Sequence, residues 1–412
     1  MSGSENLADV ISRVRDFVEE RVIPAEPTLW SGGDEATQLL DGLKAAAKAE
    51  GLWALGHPLR LGGGGLSFID MVHLNGVIGR SYFGQVALGT WSMQDSIMLD
   101  RFGSAEQKRT WLSLLVAGEI RSSIGMTEPD VAGSDPTLMQ THAELDGDEW
   151  IVNGRKWFTT GANVAAFTTV MALTEPDAPH KRLAYSAIIV PTDNPGWRLV
   201  RVVPTMGRTT GNHCEIELRD ARVPATNLLG RRGQGLQIAQ ERLGPGRIFH
   251  CMRWLGQAYR AFELLCERAG SRYAHGSLLA DKGEVQRWIA ESAADIEAHR
   301  LMTLDAAHAL NDGRDASVLI SLVKFRGAQM LHTVIDRAIQ VHGAMGVTSD
   351  TPLEAMYREA RYARIYDGPD EVHRMRVAKR LLKDPSLAPW RAADTIRTPH
   401  VTAAAATRPG SA

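Results

Sequence analysis

One change of pattern along the chain limits the folds that are open to it. From residue 7 to about 121, and again from about 233 to 382, apolar residues recur at helical spacing. Between these zones lie short runs of β-branched and aromatic residues bounded by turn signals. The pattern predicts an α+β protein with an N-terminal helical domain at 1–121, a middle antiparallel β domain at 122–232 and a C-terminal helical bundle at 233–383.

Local signals predict boundaries inside these zones. Pro24 and Pro27 are expected to end the first helix. The dipeptides Asp146-Gly147 and Asn153-Gly154 predict hairpin turns. Strands are predicted at 167–173, 185–190, 197–203 and 214–218. Residues 384–412, rich in Ala, Thr, Pro and Arg, are expected to form a disordered tail.

Bulk composition argues against several classes of protein. The 412 residues carry a formal net charge of −2, which does not favour nucleic acid or an acidic membrane surface as a partner. The three cysteines are an odd number without metal-site spacing, which indicates a reducing compartment and no metal centre. We see no apolar leader and no run that reaches the length of a membrane span, and so expect a cytoplasmic protein without membrane insertion.

The segment IYDGPDEVH, residues 365–373, places a carboxylate between an aromatic residue and a Gly-Pro pair. Because Gly-Pro breaks a helix, this segment predicts a turn that holds Asp367 at a helix end. Asp367 then has two interpretations. It caps the following helix, or it lies in an apolar pocket and acts as a base on carbon.

Two further segments carry groups that suit a cofactor. The loop GMTEPDVAGSD, residues 125–135, is dense in small residues, hydroxyls and backbone donors, and suits either a heterocycle with a phosphate or an exposed loop. In NGRKWFTTGA, residues 153–162, Trp157 and Thr159 are two apart on a predicted strand and are therefore expected to face one side. Together they offer a ring face and a hydroxyl to a flavin, although strand aromatics more often fill a core.

Five signatures, taken in order, resemble the acyl-CoA dehydrogenase family over about residues 7 to 383. They are MTEPxxAGSD at 126–135, NGxKW at 153–157, VPxxNLLG at 223–230, QVHGAMG at 340–346 and the carboxylate motif around Asp367. The sequences RLGPGRI at 242–248 and CMR at 251–253 are similar to the branch of family members ten and eleven, which is linked to long, very long or branched acyl chains. The resemblance implies a middle β barrel, a C-terminal four-helix bundle, FAD as cofactor and a homodimer or homotetramer.

The resemblance also implies roles for single residues. Asp367 takes the position of the catalytic base. Contacts to FAD are implied for Met126, Thr127, Ser134, Trp157, Thr159, Arg272, Gln340, Gly343, Gly346, Pro369 and Glu371. Of these, Arg272, Gln340, Gly343 and Gly346 are expected to reach the FAD of a neighbouring subunit. Contacts to the acyl-CoA substrate are implied for Ser134, Arg247, Tyr366 and Gly368.

The implied reaction is α,β-dehydrogenation of an acyl-CoA to the trans-2-enoyl-CoA in fatty-acid or related acyl-CoA breakdown. Asp367 removes the α proton, flavin N5 takes the β hydride, and electron-transferring flavoprotein is the expected acceptor. Burial is expected to raise the pKa of Asp367. This sequence departs from the family at Asp367, where glutamate is common, and at Pro369, where threonine is common. Two alternatives remain: a flavin enzyme with a nitroalkane oxidase-like or desulfinase-like reaction, and a non-catalytic protein with a relic site.

Overall fold

The N-terminal third of the chain is helical, as the periodicity predicts. The computed structural model describes residues 6–207 and 211–389. Its first helices are α1 (Leu7–Phe17), α2 (Ile23–Ser31), α3 (Gly33–Ala49), α4 (Phe68–Ile78), α5 (Gly84–Ala87), α6 (Met93–Phe102), α7 (Ala105–Gln107) and α8 (Ser113–Ala117). Asn6 begins α1 by accepting a hydrogen bond from the Asp9 amide. Val10, Val14 and Phe17 of α1 are buried, which is the spacing that predicted this helix.

The prediction that Pro24 and Pro27 end the first helix is wrong. A π-helical segment, Val18–Val22, carries the chain from α1 directly into α2, which contains both prolines. In this segment the Ile23 amide bonds to the Val18 carbonyl, so the hydrogen-bond ladder widens just before Pro24. Pro24 lies in the first turn of α2, where a missing N–H costs little.

The middle domain is an eight-stranded mixed sheet. Its strands are β1 (Ser122–Gly125), β2 (His142–Asp146), β3 (Glu149–Thr160), β4 (Phe167–Leu173), β5 (Tyr185–Pro191), β6 (Trp197–Val202), β7 (His213–Pro224) and β8 (Leu228–Leu229). The order is β6-β7-β3-β2-β4-β5-β8, with β1 beside β4. Most pairs are antiparallel, but β1 with β4 and β2 with β4 are parallel. Among the described residues β6 and β8 end the sheet without pairing to each other, so its hydrogen bonds do not close the expected barrel.

One of the two predicted hairpin turns is confirmed and the other is wrong. Asp146-Gly147 joins β2 to β3, whose pairing runs from Asp146 opposite Glu149. Asn153-Gly154 lies inside β3, where the register against β7 shifts between Val152 and Gly154. Gly154 has φ +148°, and a Cβ there would come within 2.4 Å of the Thr141 hydroxyl. The Asn-Gly pair therefore forms a bulge in a long strand.

The C-terminal domain consists of long packed helices. They are α9 (Gly235–Ser271), α10 (Gly283–Asn311), α11 (Ser317–His342), α12 (Leu353–Ala363) and α13 (Asp370–Lys383), with a small hairpin of β9 (Tyr273–Ala274) and β10 (Ser277–Leu278) after α9. The first three pack on one another, α12 and α13 pack on α11, and α4 packs on α9. One apolar core therefore joins the two helical domains.

Two expectations about the ends and the apolar runs need correction. The stretch Ser317–Val347 is long and apolar enough to cross a membrane, contrary to the expectation from the sequence. However, 61% of an 18-residue window within it is buried inside the protein, as expected for a core helix. Residues Pro385–Leu387 form a 3-10 turn and Ala388 is buried, so order continues past the predicted boundary at 384. The rest of the predicted tail, 390–412, lies outside the described residues.

Candidate active site

The turn between α12 and α13 carries Asp367, and this residue does not cap a helix. Helix α13 begins at Asp370 after Pro369, and no side chain caps it. The buried Asp370 carboxylate instead pairs with Arg364 at 3.0 Å. The capping interpretation of Asp367 is therefore wrong, and its carboxylate is left for another role.

The turn has an unusual backbone that three side chains hold in place. Asp367 has φ +53° and Gly368 has φ +98°, so two successive residues are left-handed. The Asp367 carbonyl accepts hydrogen bonds from Arg247 Nε at 3.0 Å and from His373 Nε2 at 3.1 Å. The Gly368 carbonyl accepts one from Lys324 Nζ at 3.0 Å. Aspartate tolerates this conformation better than most residues, and the surrounding bonds offset its remaining cost.

The Asp367 carboxylate is largely enclosed, and one of its oxygens is unsatisfied. The side chain retains 19% exposure. Its Oδ2 atom is buried and has no hydrogen-bond partner within residues 6–207 and 211–389. His250 Nε2 on α9 lies 3.4 Å from this oxygen. A buried carboxylate oxygen without a partner is costly in a folded protein and is therefore a feature of binding and catalytic sites.

The charges around Asp367 reverse the expected direction of its pKa. Burial alone is the largest single influence and raises that pKa. His250, Arg247, Arg242 and Lys324 all act in the opposite direction, and together they lower the pKa of Asp367 below its ordinary value. The prediction of a raised pKa is wrong for this chain, because the neighbouring His250 ring and three cations together outweigh the loss of solvent.

Aromatic rings form one wall of the same site. Trp254 Nε1 donates to the Tyr366 hydroxyl at 2.8 Å, and the His250 ring lies 5.0 Å from the Tyr366 ring. Lys324 Nζ lies 5.5 Å from the centres of the Trp254 and Tyr366 rings. Burial lowers the pKa of Lys324 to about 8. Arg247, Tyr366 and Gly368 are therefore brought together with Asp367, as predicted.

The loop of residues 125–135 is fixed to β3 by a buried ion pair. Lys156 Nζ lies 2.8 Å from Glu128 Oε1 and also donates to the Met126 carbonyl at 3.0 Å. Two further hydrogen bonds join Thr127 to Trp157: the Thr127 hydroxyl donates to the Trp157 carbonyl at 2.7 Å, and the Trp157 amide donates to the Thr127 carbonyl at 3.0 Å. Met126, Thr127 and Trp157 are thus brought together. Ser134 lies on the exposed part of the loop.

The expected partnership of Trp157 and Thr159 is wrong. The register of β3 against β7 shifts between Lys156 and Thr159, and Phe158 has φ +49°. Alternation is therefore lost, and Thr159 is fully buried with its hydroxyl unpaired. Phe158 is 43% exposed and offers a ring face instead, and beside it the half-buried Thr160 hydroxyl lies 2.9 Å from His213 Nδ1. No cofactor lying on this surface can reach the Thr159 hydroxyl in the observed conformation.

A second buried pair links the β domain to the surroundings of Asp367. Arg242 Nε on α9 lies 2.6 Å from Asp95 Oδ1 on α6, and Ser122 Oγ at the start of β1 donates to Asp95 Oδ2 at 2.7 Å. Strand β1 leads directly into Met126. The helix that contacts Asp367 and the loop expected to hold a cofactor are therefore fixed to each other.

Four of the predicted contacts lie elsewhere. Arg272, Gln340 and Gly343 are exposed, and Gly346 packs against the Ile339 carbonyl at the end of α11. Arg272 follows the last residue of α9, about 36 Å along the helix from Arg247 at 1.5 Å per residue. Within one chain these residues do not meet Asp367. Pro369 immediately precedes α13, and Glu371 is exposed in the first turn of that helix.

Sequence reasoning missed several residues that the structure places near Asp367. They are Arg242, His250, Arg253, Lys324 and His373. A signal for part of this set was present: Arg247, His250 and Trp254 are three and seven apart on a predicted helix and so share one face. Polar residues on an inward face indicate a site and not a core.

Comparison with known proteins agrees with this geometry. Family models match residues 4–119 as "Acyl-CoA dehydrogenase, N-terminal domain", 123–221 as the middle domain and 233–382 as the C-terminal domain. "Probable acyl-CoA dehydrogenase FadE2" of Mycobacterium tuberculosis is 40% identical over 91% of this chain and 95% of its own length. The chain belongs to the acyl-CoA dehydrogenase family.

Further relatives place the chain more closely within that family. Acyl-CoA dehydrogenase family member 11 of Rattus norvegicus is 38% identical over 91% of this chain, which spans only 50% of that protein. A solved structure of a candidate acyl-CoA dehydrogenase from Mycobacterium abscessus has a TM-score of 0.86 and 39% identity, covering 93% of this chain and 99% of that chain. The resemblance to family members ten and eleven and the predicted three-part fold are confirmed.

Proposed function

We propose that this protein is an FAD-dependent acyl-CoA dehydrogenase that converts an acyl-CoA thioester to the trans-2-enoyl-CoA, with Asp367 as the base. One observation carries the proposal. Asp367 is held in a left-handed turn, in a cation-rich pocket, with an unpaired buried oxygen. That arrangement keeps the carboxylate ionised and fixed, which a general base for a weak carbon acid requires.

The residues present fit FAD. Met126, Thr127 and Trp157 are joined through backbone and side-chain hydrogen bonds. Beside them lie the exposed Phe158 ring and the Thr160 hydroxyl, which is 2.9 Å from His213 Nδ1. The first five of these residues would hold the flavin end of the cofactor. When bound, FAD supplies the oxidising equivalent and takes the hydrogen lost from the β carbon.

The chain's own residues prepare the substrate. The Asp367 carboxylate, which is ionised at neutral pH, takes the α proton. No hydrogen bond of the Asp367 amide is seen among residues 6–207 and 211–389, which leaves that N–H for the thioester carbonyl and the negative charge that develops there. Aspartate is one methylene shorter than glutamate, so the left-handed turn must bring the backbone closer to the α carbon.

The residues at the C-terminal end of α9 are evidence for an oligomer. Arg272 and Gln340 are exposed at the same end of the bundle, too distant from Asp367 to serve the same FAD. We assign them, with Gly343 and Gly346, to the FAD of a neighbouring subunit in a homodimer or homotetramer. The protein acts in the cytoplasm in acyl-CoA breakdown, and electron-transferring flavoprotein takes its electrons.

The deciding experiment is anaerobic mixing of the oxidised holoprotein with acyl-CoAs of varied length and branching. Bleaching of the flavin by an acyl-CoA supports the proposal. Asp367→Asn keeps the side-chain shape and suits the left-handed backbone, so it should fold and retain FAD. It should lower turnover at least ~100-fold, the lower range for removal of a general base. Near-normal turnover in this variant excludes Asp367 as the base.

The same experiment separates the alternative reactions. An aspartate base also suits a nitroalkane oxidase-like enzyme, in which a nitroalkane and not an acyl-CoA bleaches the flavin. A desulfinase-like enzyme gives no net bleaching with any of these compounds. A purified protein that is colourless and cannot be reconstituted with FAD indicates a relic site.

Arg272→Ala tests the shared cofactor site separately. Loss of a charge-assisted phosphate contact should weaken FAD retention, and the oligomer with it. The readouts are the flavin-to-protein absorbance ratio after gel filtration and the elution volume. A fully flavinated variant with unchanged assembly removes Arg272 from the proposed site.

A further inference from the structure

His250 lies between a guanidinium and the Asp367 carboxylate, and this fixes where its proton is. Arg253 Nη2 lies 2.9 Å from His250 Nδ1, and His250 Nε2 lies 3.4 Å from Asp367 Oδ2. A guanidinium can only donate, so Nδ1 must accept. The neutral ring therefore carries its hydrogen on Nε2, the nitrogen that lies 3.4 Å from Asp367 Oδ2.

The ring has little freedom to adopt another arrangement. Arg253 Nη1 donates to Asn75 Oδ1 at 3.2 Å, and Asn75 Nδ2 donates to the Met71 carbonyl at 2.7 Å inside α4. Asn75 is 1% exposed. The rings of Trp254 and Tyr366 flank His250. A chain of contacts from the N-terminal domain therefore ends at the imidazole.

The two carboxylate oxygens of Asp367 have different surroundings. Oδ2 is buried and faces His250, while the side chain as a whole retains 19% exposure. The accessible part of the carboxylate is therefore on the side of Oδ1. A donor that holds Oδ2 would determine which oxygen meets a ligand.

We propose that His250 is a positioning residue for the base: its Nε2–H holds Asp367 Oδ2 and turns Oδ1 toward the α carbon of the substrate. This role rests on the proposed function of Asp367. The 3.4 Å separation shortens when the site is filled, as hydrogen bonds in catalytic sites commonly do.

The chemistry of His250 suits this role and excludes a second base. Burial, and then the Arg253 charge, lower the pKa of His250 to about 3, so the ring stays a neutral donor and does not take up the abstracted proton. Other charged or titratable groups also act on Asp367. They are Arg242, Arg247, Cys251 and Arg253 from α9, Lys324 from α11, Tyr366 from the turn, and His373 from α13. The cations among them keep the carboxylate ionised; the His250 donor orients it and adds to its preference for the ionised form.

Three variants separate orientation from simple loss of packing. In His250→Gln the amide repeats the spacing of the imidazole nitrogens, so its oxygen accepts from Arg253 and its NH₂ donates to Asp367. His250→Asn is one methylene shorter and cannot reach both partners. His250→Leu removes both contacts but fills the space. All three are compared in FAD content and thermal unfolding with the unsubstituted holoprotein.

Two readouts are required. The first is the pH dependence of kcat and KM for the acyl-CoA that bleaches the flavin fastest. The second needs no substrate: the absorption spectrum of oxidised FAD is titrated downward from pH 7 as far as the holoprotein stays folded, with Asp367→Asn as the blank. Ionisation of a carboxylate beside the flavin changes the spectrum, so this titration reports Asp367 directly.

We expect His250→Leu and His250→Asn to lower kcat about tenfold with little change in KM, and to move the acid limb and the spectral midpoint up by about one pH unit, equivalent to a tenfold weaker preference for the ionised form. His250→Gln should stay within about threefold of the unsubstituted protein. If His250→Leu or His250→Asn retains FAD and both unchanged profiles, the proposal is overturned. If the leucine variant does not fold, the glutamine and asparagine pair decides in the same way.

Failure of this inference is distinguishable from failure of the proposed function. If no acyl-CoA bleaches the flavin, dehydrogenation is excluded, but the spectral titration still reports the contact between His250 and Asp367. If acyl-CoA bleaches the flavin and all His250 variants behave alike, dehydrogenation stands and His250 has no positioning role.

Discussion

Two buried carboxylates in this chain are held in opposite ways. Glu128 meets one cation, Lys156, and also accepts from the Gln140 and Thr141 amides, so both of its oxygens are occupied. Asp367 is surrounded by several cations, yet its buried oxygen has no hydrogen-bond partner within the described part of the chain. A buried carboxylate whose oxygens are both hydrogen-bonded fixes the loop around it, whereas one with an unpaired oxygen can bind a ligand or accept a proton.

The largest effect is expected at Lys156. Lys156→Met leaves the Glu128 charge buried without its cation, and removal of one partner from a buried pair costs about 3–5 kcal/mol. The loop that carries Met126 and Thr127 should loosen, and FAD should be lost with it. Urea unfolding and the flavin-to-protein ratio measure both. The double variant with Glu128→Gln should be more stable than Lys156→Met alone; if both are as stable as the unsubstituted protein, the contrast between the two carboxylates fails.

Lys324 should show the opposite balance of effects. Lys324→Met frees the Gly368 carbonyl, so the Asp367 turn shifts and turnover should fall about tenfold, since misplacement of a base by a fraction of an ångström is costly. The free energy of unfolding should change by less than about 1 kcal/mol, because loss of two hydrogen bonds is offset by removal of a buried charge whose pKa is lowered to about 8. Equal losses of stability in Lys156→Met and Lys324→Met contradict this view.

Acid should destabilise the protein through histidines and not through these carboxylates. The pKa values of Glu128 and Asp367 are lowered, so neither carboxylate takes up a proton near pH 5. Burial lowers the pKa of His57, His299 and His373 to about 4, below the ordinary 6.5. The unfolded chain therefore binds protons first as the pH falls, and stability that is full above pH 6.5 is lost towards pH 4.

The size of this acid effect is measurable. Each such histidine should cost on the order of 1 kcal/mol between pH 6.5 and 5.5. Thermal unfolding scans across this range give the slope, and His57→Gln should reduce it. A melting temperature that stays constant from pH 7 to pH 5 contradicts the assignment of these buried rings as neutral.

The smallest effects are expected at Thr159 and Thr160. Thr159→Val removes a buried hydroxyl that has no partner, so stability should be unchanged or higher by up to ~1 kcal/mol, with full FAD content. Thr160→Val removes a hydroxyl that lies 2.9 Å from His213 Nδ1, next to the exposed Phe158 ring, and should weaken FAD binding about fivefold, which is the size of one hydrogen bond. Titration of apoprotein with FAD measures the difference. If Thr159→Val loses FAD affinity instead, the predicted contact between Thr159 and FAD is correct after all.

The fold was largely predictable because it depends on local periodicity. Helical spacing in α1 and the apolar run of β4 are properties of neighbouring residues, and both lie where predicted. The failures at Pro24 and at Asn153-Gly154 have a common cause. Proline and Asn-Gly are both local signals that a helix or strand ends. At Pro24, packing of Val18 and Val22 in the core accompanies a π-helical segment that continues the helix, and at Asn153-Gly154, pairing with β7 continues the strand through a bulge.

The site was predictable only in part. A Gly-Pro pair after Asp367 indicated the turn, yet nothing local shows that α9 and α11 surround it with cations. For that reason the direction of the Asp367 pKa was predicted wrongly from burial alone. Likewise, Thr159 was assigned by strict alternation, which the positive φ of Phe158 interrupts. The direction of the Asp367 pKa shift and the burial of Thr159 depend on how helices and strands pack, which residue types alone do not reveal.

The left-handed conformation of Asp367 restricts which acids can occupy this position. Of the two acidic side chains, aspartate is the one enriched in that region of backbone space. Exchange for glutamate would insert a methylene between a fixed backbone and a carboxylate that now lies 3.4 Å from His250, so the longer acid could keep that position only with a different turn. In an enzyme of this kind, the local geometry of the peptide chain then selects the catalyst, and a change of base would have to be preceded by a change of loop.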